Sequence, residues 1–251
     1  MAGFFMTMRY GDKLPPPRRN AAHQAMKGDD MKNRVPLLLS LNGGYVDTAG
    51  YLALHGLFTT HVTGNFVTFG ASLANGTSGA VTKLLALPVF CIIVVLTQML
   101  DASLTKRGVA AFRLMLGVKV ALLALGAALA IHFGPFPDGD AWPILLTGMM
   151  MVSAMAVQNA VHRVHLASAP PSTVMTLTTT QIMLDVALFL QPTPTDARAA
   201  ARTRMSRMIP SVTAFAIGCA LAALLYVVGG MWFFILPPLI ALAPIWLGEA
   251  G

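Results

Sequence analysis

The stretch LNGGYVDTAGYLALHGLFTTHVTGN, residues 41–65, decides how this chain is read. It runs as an apolar helix with one acid, Asp47, then breaks into Thr59-Thr60-His61 and Thr63-Gly64-Asn65 before a second apolar run opens at Phe66. On a helix Gly43, Asp47 and Gly50 stand at i, i+4 and i+7 and share one face. Small residues on that face, with Gly44 beside them, let another element come close. An ionised carboxylate facing lipid costs roughly 2.5–3.5 kcal/mol on insertion scales. Asp47 is therefore expected to face the interior, either as a site for a proton or solute or as a structural acid holding unwound backbone. Thr63 or Asn65 is expected to cap a half-helix, with Gly64 supplying unusual backbone angles. Its free N–H groups and positive dipole end would suit an anion or a carbonyl oxygen. The plainer alternative is a polar break satisfied by its neighbours.

The rest of the chain fits that reading. Of 251 residues, 56% are hydrophobic and 11% charged, and the mean hydropathy is +0.68. Soluble domains carry roughly 25% charged residues, so this composition points to lipid as the solvent. It excludes disorder, and two cysteines, Cys91 and Cys219, exclude a disulfide scaffold. A formal charge of +7 could suggest nucleic acid, but the basic residues cluster between apolar runs, as in cytoplasmic loops of membrane proteins. No nucleic-acid partner and no cofactor is expected.

Eight apolar segments follow one another: 35–54, 57–74, 84–101, 112–133, 142–161, 173–191, 209–228 and 231–248. A crossing needs about 20 residues. The second and sixth are the weakest, the sixth being a Thr-rich run with Gln181 and Asp185 after Pro170-Pro171-Ser172. If all eight crossed, Lys106, Arg107 and Arg113 would lie outside and Asp138 and Asp140 inside, against the positive-inside bias. If segments two and six enter and leave on one side, every basic cluster falls inside, Arg198, Arg202, Arg204 and Arg207 included. The expected fold is an all-α membrane protein of six transmembrane helices plus two broken or re-entrant segments, both termini cytoplasmic. Residues 1–34, with Pro15-Pro16-Pro17 and seven basic residues against three acids, are expected to be a disordered cytoplasmic tail. Residues 35–251 form the membrane domain.

Residues 35–134 and 141–249 then each hold three spans and one irregular element in the same order. An odd number of spans gives the halves opposite orientation, a 3+3 inverted repeat of the kind that places sites near the midplane at broken helices. Gly44-Tyr45-Val46-Asp47 aligns with Ala156-Val157-Gln158-Asn159, and Thr63-Gly64-Asn65 with Thr176-Leu177-Thr178.

In the second half Gln158, His162 and His165 stand at i, i+4 and i+7, a polar stripe running to the end of the fifth segment. Metal is not expected there, because a site needs three or four convergent ligands. Asp185 is a second intramembrane acid. Lys119, inside the fourth segment, either snorkels or pairs with Asp47 or Asp185. Met149-Met150-Met151 and Met155 are expected in the core, and Pro237-Pro238 marks a kink or break.

The 41–65 stretch, with Gly44, Asp47 and Thr63-Gly64-Asn65, together with AVQNAVHRV at 156–164, resembles the signature of the YoaK-like family of small bacterial inner-membrane proteins, a domain of unknown function. The likeness covers roughly residues 35–248. Where another Thr-Gly pair would be expected, this chain has Thr176-Leu177. The resemblance implies a bacterial cytoplasmic membrane and no established substrate.

The leading expectation is a small-solute transporter or channel, not an enzyme, with its site near Asp47, Asn65, Asn159 and Thr178. A proton would couple through Asp47 or Asp185. The solute would be small unless the protein is a homodimer. The other classes are a non-transporting assembly or partner subunit and an intramembrane enzyme using Asp47 with His61.

Overall fold

A computed structural model describes residues 19–192 and 194–247, with side chains from Arg34 onward. The tail's residues 1–18, including Pro15-Pro16-Pro17, and residues 248–251 of the second half lie outside the described residues. Among the described residues every regular element is helical. The chain forms α1 (Arg19–Ala53), α2 (Asn65–Asn75), α3 (Ala80–Lys106), α4 (Ala111–Phe133), α5 (Trp142–His165), α6 (Met175–Phe189), α7 (Thr195–Gly229) and α8 (Leu236–Leu247). Tight 3₁₀ turns at Val62–Gly64 and Gly230–Ile235 precede α2 and α8.

The eight apolar segments thus become eight helices, but two boundaries differ from the sequence expectation. Helix α1 opens at Arg19, inside the stretch expected to be a disordered tail. Helix α7 opens at Thr195, so Arg198, Arg202, Arg204 and Arg207 ride on its first turns rather than on a loop. The cause is the same in both places. Runs such as Ala21-Ala22 and Ala199-Ala200-Ala201, mixed with Gln, Arg and Met, are strong helix formers and extend a helix past its apolar part. Pro237-Pro238 falls in the first turn of α8, where no intrahelical N–H is needed. The break itself lies at Gly230, whose φ of +52° suits glycine.

Four runs are long and apolar enough to cross a membrane: Ala80–Lys106, Ala111–Phe133, Trp142–His165 and Thr195–Leu247. The last holds both the seventh and eighth segments. Helix α2, with 11 residues, and α6, with 15, are too short to cross.

Helix α1 packs along α7, and α5 lies between α3 and α4. Helix α8 covers α1 and α4, α2 lies on α3, and α6 lies on α7. Exchanging the first four helices for the last four maps these neighbours onto one another: α1–α7 onto α5–α3, α2–α3 onto α6–α7, and α4–α5 onto α8–α1. The α1–α7 crossing brings backbone against backbone. A Cβ on Gly44 would sit 2.1 Å from the Phe215 carbonyl oxygen, and one on Gly218 would sit 2.1 Å from that of Leu41.

Two apolar clusters fill the interior. The larger joins Val46, Leu123, Met151 and Met155 to Phe233 and Phe234. The smaller joins Val35, Leu39, Met115, Leu116, Val157 and Val161. The outer faces are apolar as well: Val95, Met99, Leu177, Leu184, Val227 and Val228 are all exposed. Contiguous apolar surface of that extent needs a nonaqueous neighbour. Exposed Trp142 and Trp232 stand at one end of the bundle and Trp246 at the other, where amphipathic indoles mark the two edges of an apolar belt.

Candidate functional site: two polar breaks on one face of the first helix

The first break is residues 54–64. It leaves α1 and comes back to it. One Asp47 carboxylate oxygen, Oδ1, accepts from the backbone N–H of Thr59 at 2.8 Å and of Thr60 at 2.7 Å. The other, Oδ2, lies 2.5 Å from His61 Nδ1. Asp47 is six residues before the end of α1, about 9 Å along the axis. The break therefore dips into the bundle. Its two ends stay together: His55 bonds the Phe136 carbonyl at 2.9 Å, and a Cβ on Gly79, just before α3, would lie 3.2 Å from His55 Cβ. The segment between α1 and α3, α2 included, thus enters and leaves at one end of the molecule.

Asn65 plays a different part from the expected cap. Gly64 occupies the N-cap position of α2 without a side-chain bond, and in ordinary right-handed helical backbone (φ −62°, ψ −22°) rather than at the unusual angles expected of it. Asn65 instead staples the loop, accepting from Phe58 N–H at 2.9 Å and donating to Phe58 O at 2.8 Å. An amide can do both at once, which a hydroxyl cannot match in geometry. Thr63 is exposed.

The second break is residues 166–174, and it folds back on α5. Thr173 Oγ1 donates to Asn159 Oδ1 at 2.5 Å. Gln158 Nε2 donates to Ser172 Oγ at 3.1 Å and to the Leu39 carbonyl of α1 at 2.9 Å. Asp47 to His61 and Asn159 to Thr173 are both separations of 14 residues. The offset that aligns Asp47 with Asn159 in sequence also aligns their partners. Thr178 spends its hydroxyl on its own helix, at Val174 O, and Thr176 is exposed.

Both breaks dock on one face of α1, the face carrying Gly43, Asp47 and Gly50. A Cβ on Gly50 would meet Thr59 Cγ2 at 2.7 Å and the Leu57 carbonyl at 2.8 Å, both in the first break. A Cβ on Gly43 would meet the Ser172 carbonyl at 3.2 Å and Thr173 Cγ2 at 3.6 Å, in the second. The glycines admit the two loops, and Asp47 lies between them.

A groove of about 720 Å³ opens beside the second break, between α3, α5 and the start of α6. Its walls are apolar, with Phe90, Val94 and Leu177 among them, and its polar groups are Gln98, Asn159, His162, Arg163 and Ser172. A few convergent polar groups on apolar walls are the usual make-up of a small-molecule site.

The other singled-out residues lie apart from this face. Asp185 on α6 is held by Arg204 of α7 through two bonds, 2.5 and 3.1 Å, and receives Gln181 at 3.1 Å. His165 leaves the stripe of Gln158 and His162 to bond Asp101 of α3 at 2.7 Å. Lys119 neither snorkels nor pairs with an acid. It is 0% exposed, and its Nζ has no hydrogen-bond partner. Both acids it was expected to meet are bonded elsewhere, Asp47 to His61 and Asp185 to Arg204. Sequence reasoning named Thr59, Thr60 and Ser172 only as break residues and Arg204 only as a loop charge, and it gave Thr173 no role; their bonds to Asp47, Gln158, Asp185 and Asn159 were missed. The 14-residue repeat in the two breaks was the one signal that could have found His61's counterpart.

Chemically, the Asp47–His61 pair can hold or pass a proton. It is not a hydrolytic triad. The Thr60 hydroxyl bonded to the His61 ring lies 3.3 Å from Nδ1, the same ring nitrogen that faces Asp47, whereas a triad sets nucleophile and acid on opposite nitrogens.

These features define an all-helical protein with several helices fit to cross a membrane and two polar breaks meeting on one interior helix face. Residues 35–247 match a protein family described as "Protein of unknown function (DUF1275)", and the chain belongs to that family. No curated protein matches the chain, and no solved structure does.

Proposed function

We propose that this is a YoaK-like protein of a bacterial inner membrane that moves a small solute across it, built as a 3+3 inverted repeat with six spans. The observation that carries the reading is the meeting of two fold-back breaks on the Gly43–Asp47–Gly50 face of α1. Irregular backbone at membrane depth is tolerated where it lines a cavity or is buried in protein, and paired broken segments in corresponding halves mark transporter sites. The exchange of helix neighbours between the halves supports the repeat. In this reading helix α1 is a crossing beyond the four apolar runs, and the long run Thr195–Leu247 supplies two, one by α7 and one by residues 230–247.

Charge supports the orientation. Lys106, Arg107 and Arg113 gather where α3 closes and α4 opens, while Asp138 and Asp140 lie at the opposite end, beside Gly79. The basic end is cytoplasmic in this reading, and both termini lie there. The solute enters the groove at Asn159 and Ser172, and the two halves rock about the α1 face. His61 with Asp47 is the proton-handling pair.

The test is uptake into proteoliposomes across a panel of small anions and neutral solutes, with and without a pH gradient. Saturable uptake of one solute, lost in Asn159→Ala and Asp47→Asn, is the expected result. Vesicles no leakier than empty ones for the whole panel, with one membrane partner copurifying at fixed stoichiometry, would replace this reading with that of an assembly subunit.

A further inference from the structure

The groove beside the second break has a polar end and an apolar end. Helices α3 and α5 run side by side in the same direction. Both start near Asp140, which accepts from Gly79 and Thr82 N–H, and both close at the basic end, where Asp101 bonds His165. Gln98 borders a small void together with Ala160, Val161 and Val164, so it stands level with His162 and Arg163. Deeper along α3 come Val95, Val94 and Phe90. Phe90 lies about 12 Å along the helix axis from Gln98. Val174 and Leu177, at the start of α6, form the facing wall. Val95, Met99 and Leu177 are also exposed on the outer surface, so the groove opens sideways onto the apolar belt.

The polar end holds groups that the break does not use. Asn159 accepts from Thr173 and donates to the Met155 carbonyl, and Ser172 accepts from Gln158. Those two are spent. His162 is not. It is 6% exposed, and neither ring nitrogen has a hydrogen-bond partner, although the Ala169 and Pro170 carbonyls stand near the ring. Buried polar groups are almost always bonded, so an imidazole left open in a groove wall asks for a ligand. The charge tells its kind. Arg163, beside it, is exposed and has no ion pair among the described residues. No acid borders the groove, and Asp101, at the same end, is bound to His165.

We propose that the groove binds a single-chain carboxylic acid of medium length, its carboxylate at Arg163, His162 and Gln98 and its chain along Phe90, Val94 and Leu177. A planar guanidinium fork fits a carboxylate, and an imidazole N–H and the Gln98 amide add donors. The apolar wall of about 12 Å suits a medium chain, whereas a halide or formate would leave it unfilled. A two-chain phospholipid would seat one chain here and leave the other without a wall. The acid enters from the bilayer, head toward the basic end and chain toward mid-depth, as an acid is ordered in a leaflet. The inference deepens the transport reading by naming its substrate class, and rests on that reading for movement; binding is measured apart from it.

The probe is radiolabelled octanoate, added at neutral pH to the whole protein in phosphatidylcholine nanodiscs, with binding to empty nanodiscs subtracted. Saturable binding is expected, displaced by decanoate but not by butanoate, octan-1-ol or octylamine. Each methylene added from butanoate to decanoate should tighten binding about two- to fourfold. Arg163→Gln, at an exposed position, should weaken octanoate about tenfold. Leu177→Trp fills the groove from an exposed position and should lose binding. Val227→Trp, exposed on α7 outside the groove, should keep it. Octanoate held no better than by empty nanodiscs, or held equally by wild type, Arg163→Gln and Leu177→Trp, overturns the site. So does octanoate released when phosphatidylglycerol joins the nanodisc, which would hand the groove to bilayer lipid. Saturable octanoate binding with no solute taken up by vesicles keeps the site and removes transport. Uptake of another solute, unchanged by octanoate and in Leu177→Trp, keeps transport and removes this substrate class.

Discussion

The two breaks reach the same helix face by different chemistry. In the first, a carboxylate gathers backbone amides: Asp47 holds Thr59, Thr60 and His61 at once. In the second, neutral side chains pair with one another, Asn159 with Thr173 and Gln158 with Ser172. A charged acceptor on backbone N–H groups fixes a chain path, and such bonds are about twice as strong as neutral ones. Two neutral side-chain pairs fix it less. The second break is also the one beside the groove. In the proposed reading this difference makes the first break the anchor and the second the one that faces a ligand.

The sharpest way to break that contrast is Asp47→Ala. It leaves the amides of Thr59 and Thr60 buried without an acceptor and should cost about 3–5 kcal/mol. Thermal unfolding in detergent measures it, and a loss under about 1 kcal/mol would mean the carboxylate is not the anchor. Asp47→Asn separates charge from shape. It retains Oδ1 for the amides and should recover part of the stability while abolishing any proton coupling.

Packing offers the next comparison. Gly50→Ala drives a methyl into the Leu57 carbonyl, 2.8 Å away, and has no flexible atom to displace there. It should cost about 1–3 kcal/mol. Gly43→Ala meets the Ser172 carbonyl at 3.2 Å. That contact can relax by a few tenths of an ångström, and the gain in helix propensity offsets part of it. Its expected cost is under about 1 kcal/mol. Equal losses at the two glycines would show that both breaks are equally rigid.

Much of this was legible in sequence. Thr59-Thr60-His61 and Pro170-Pro171-Ser172 marked the two irregular segments, because polar and proline residues interrupt an apolar run whatever the tertiary context. The shared face of Gly43, Asp47 and Gly50 followed from helical period alone. The partners did not follow. Asp185 finds Arg204 at a separation of 19 residues, on a helix that continues through what composition marked as a loop. The burial of Lys119 without a hydrogen-bond partner depends on the helices packed around α4, and no local pattern carries it. Asn65 was legible as important and misread in role, since its side-chain oxygen could serve a helix cap, whereas the loop staple uses both the oxygen and the nitrogen of the amide.

A single neutral pair tests the second break directly. Asn159→Ala removes one neutral bond to Thr173 and should cost about 1 kcal/mol, well under the loss at Asp47. Its larger effect should be on uptake, because Asn159 lines the groove. A stability loss matching that of Asp47→Ala would erase the distinction between anchor and ligand-facing break.

The smallest expected effect lies at the loop between α4 and α5. Helix α3 of the first half has no side-chain cap of its own, Gly79 being its N-cap residue. Asp140, from the loop between the halves, supplies one: it accepts from Gly79 N–H at 2.9 Å and Thr82 N–H at 3.1 Å. Helix α7, its counterpart, has Pro194 at the N-cap, no side-chain cap bond, and Asp196 in its first turn. Partial burial pushes the Asp140 carboxyl up, but the amides of Thr82, Gly79, Val81 and Ala80 outweigh this and hold it below the usual carboxylate range. A depressed folded value means stability that is complete above the unfolded value, about 3.9, and is lost as pH falls through the folded one. Asp140→Ala should therefore cost about 0.5–1 kcal/mol at neutral pH, and the gap to wild type should close as pH drops below about 4. Asp196→Ala, with only a helix dipole to lose, should cost less than about 0.5 kcal/mol. Unfolding curves of the two variants from neutral pH down to the acid limit measure both differences. A gap at Asp140 that persists unchanged in acid would mean that its carboxylate does not hold α3, and that α3 is no better tied at its start than α7.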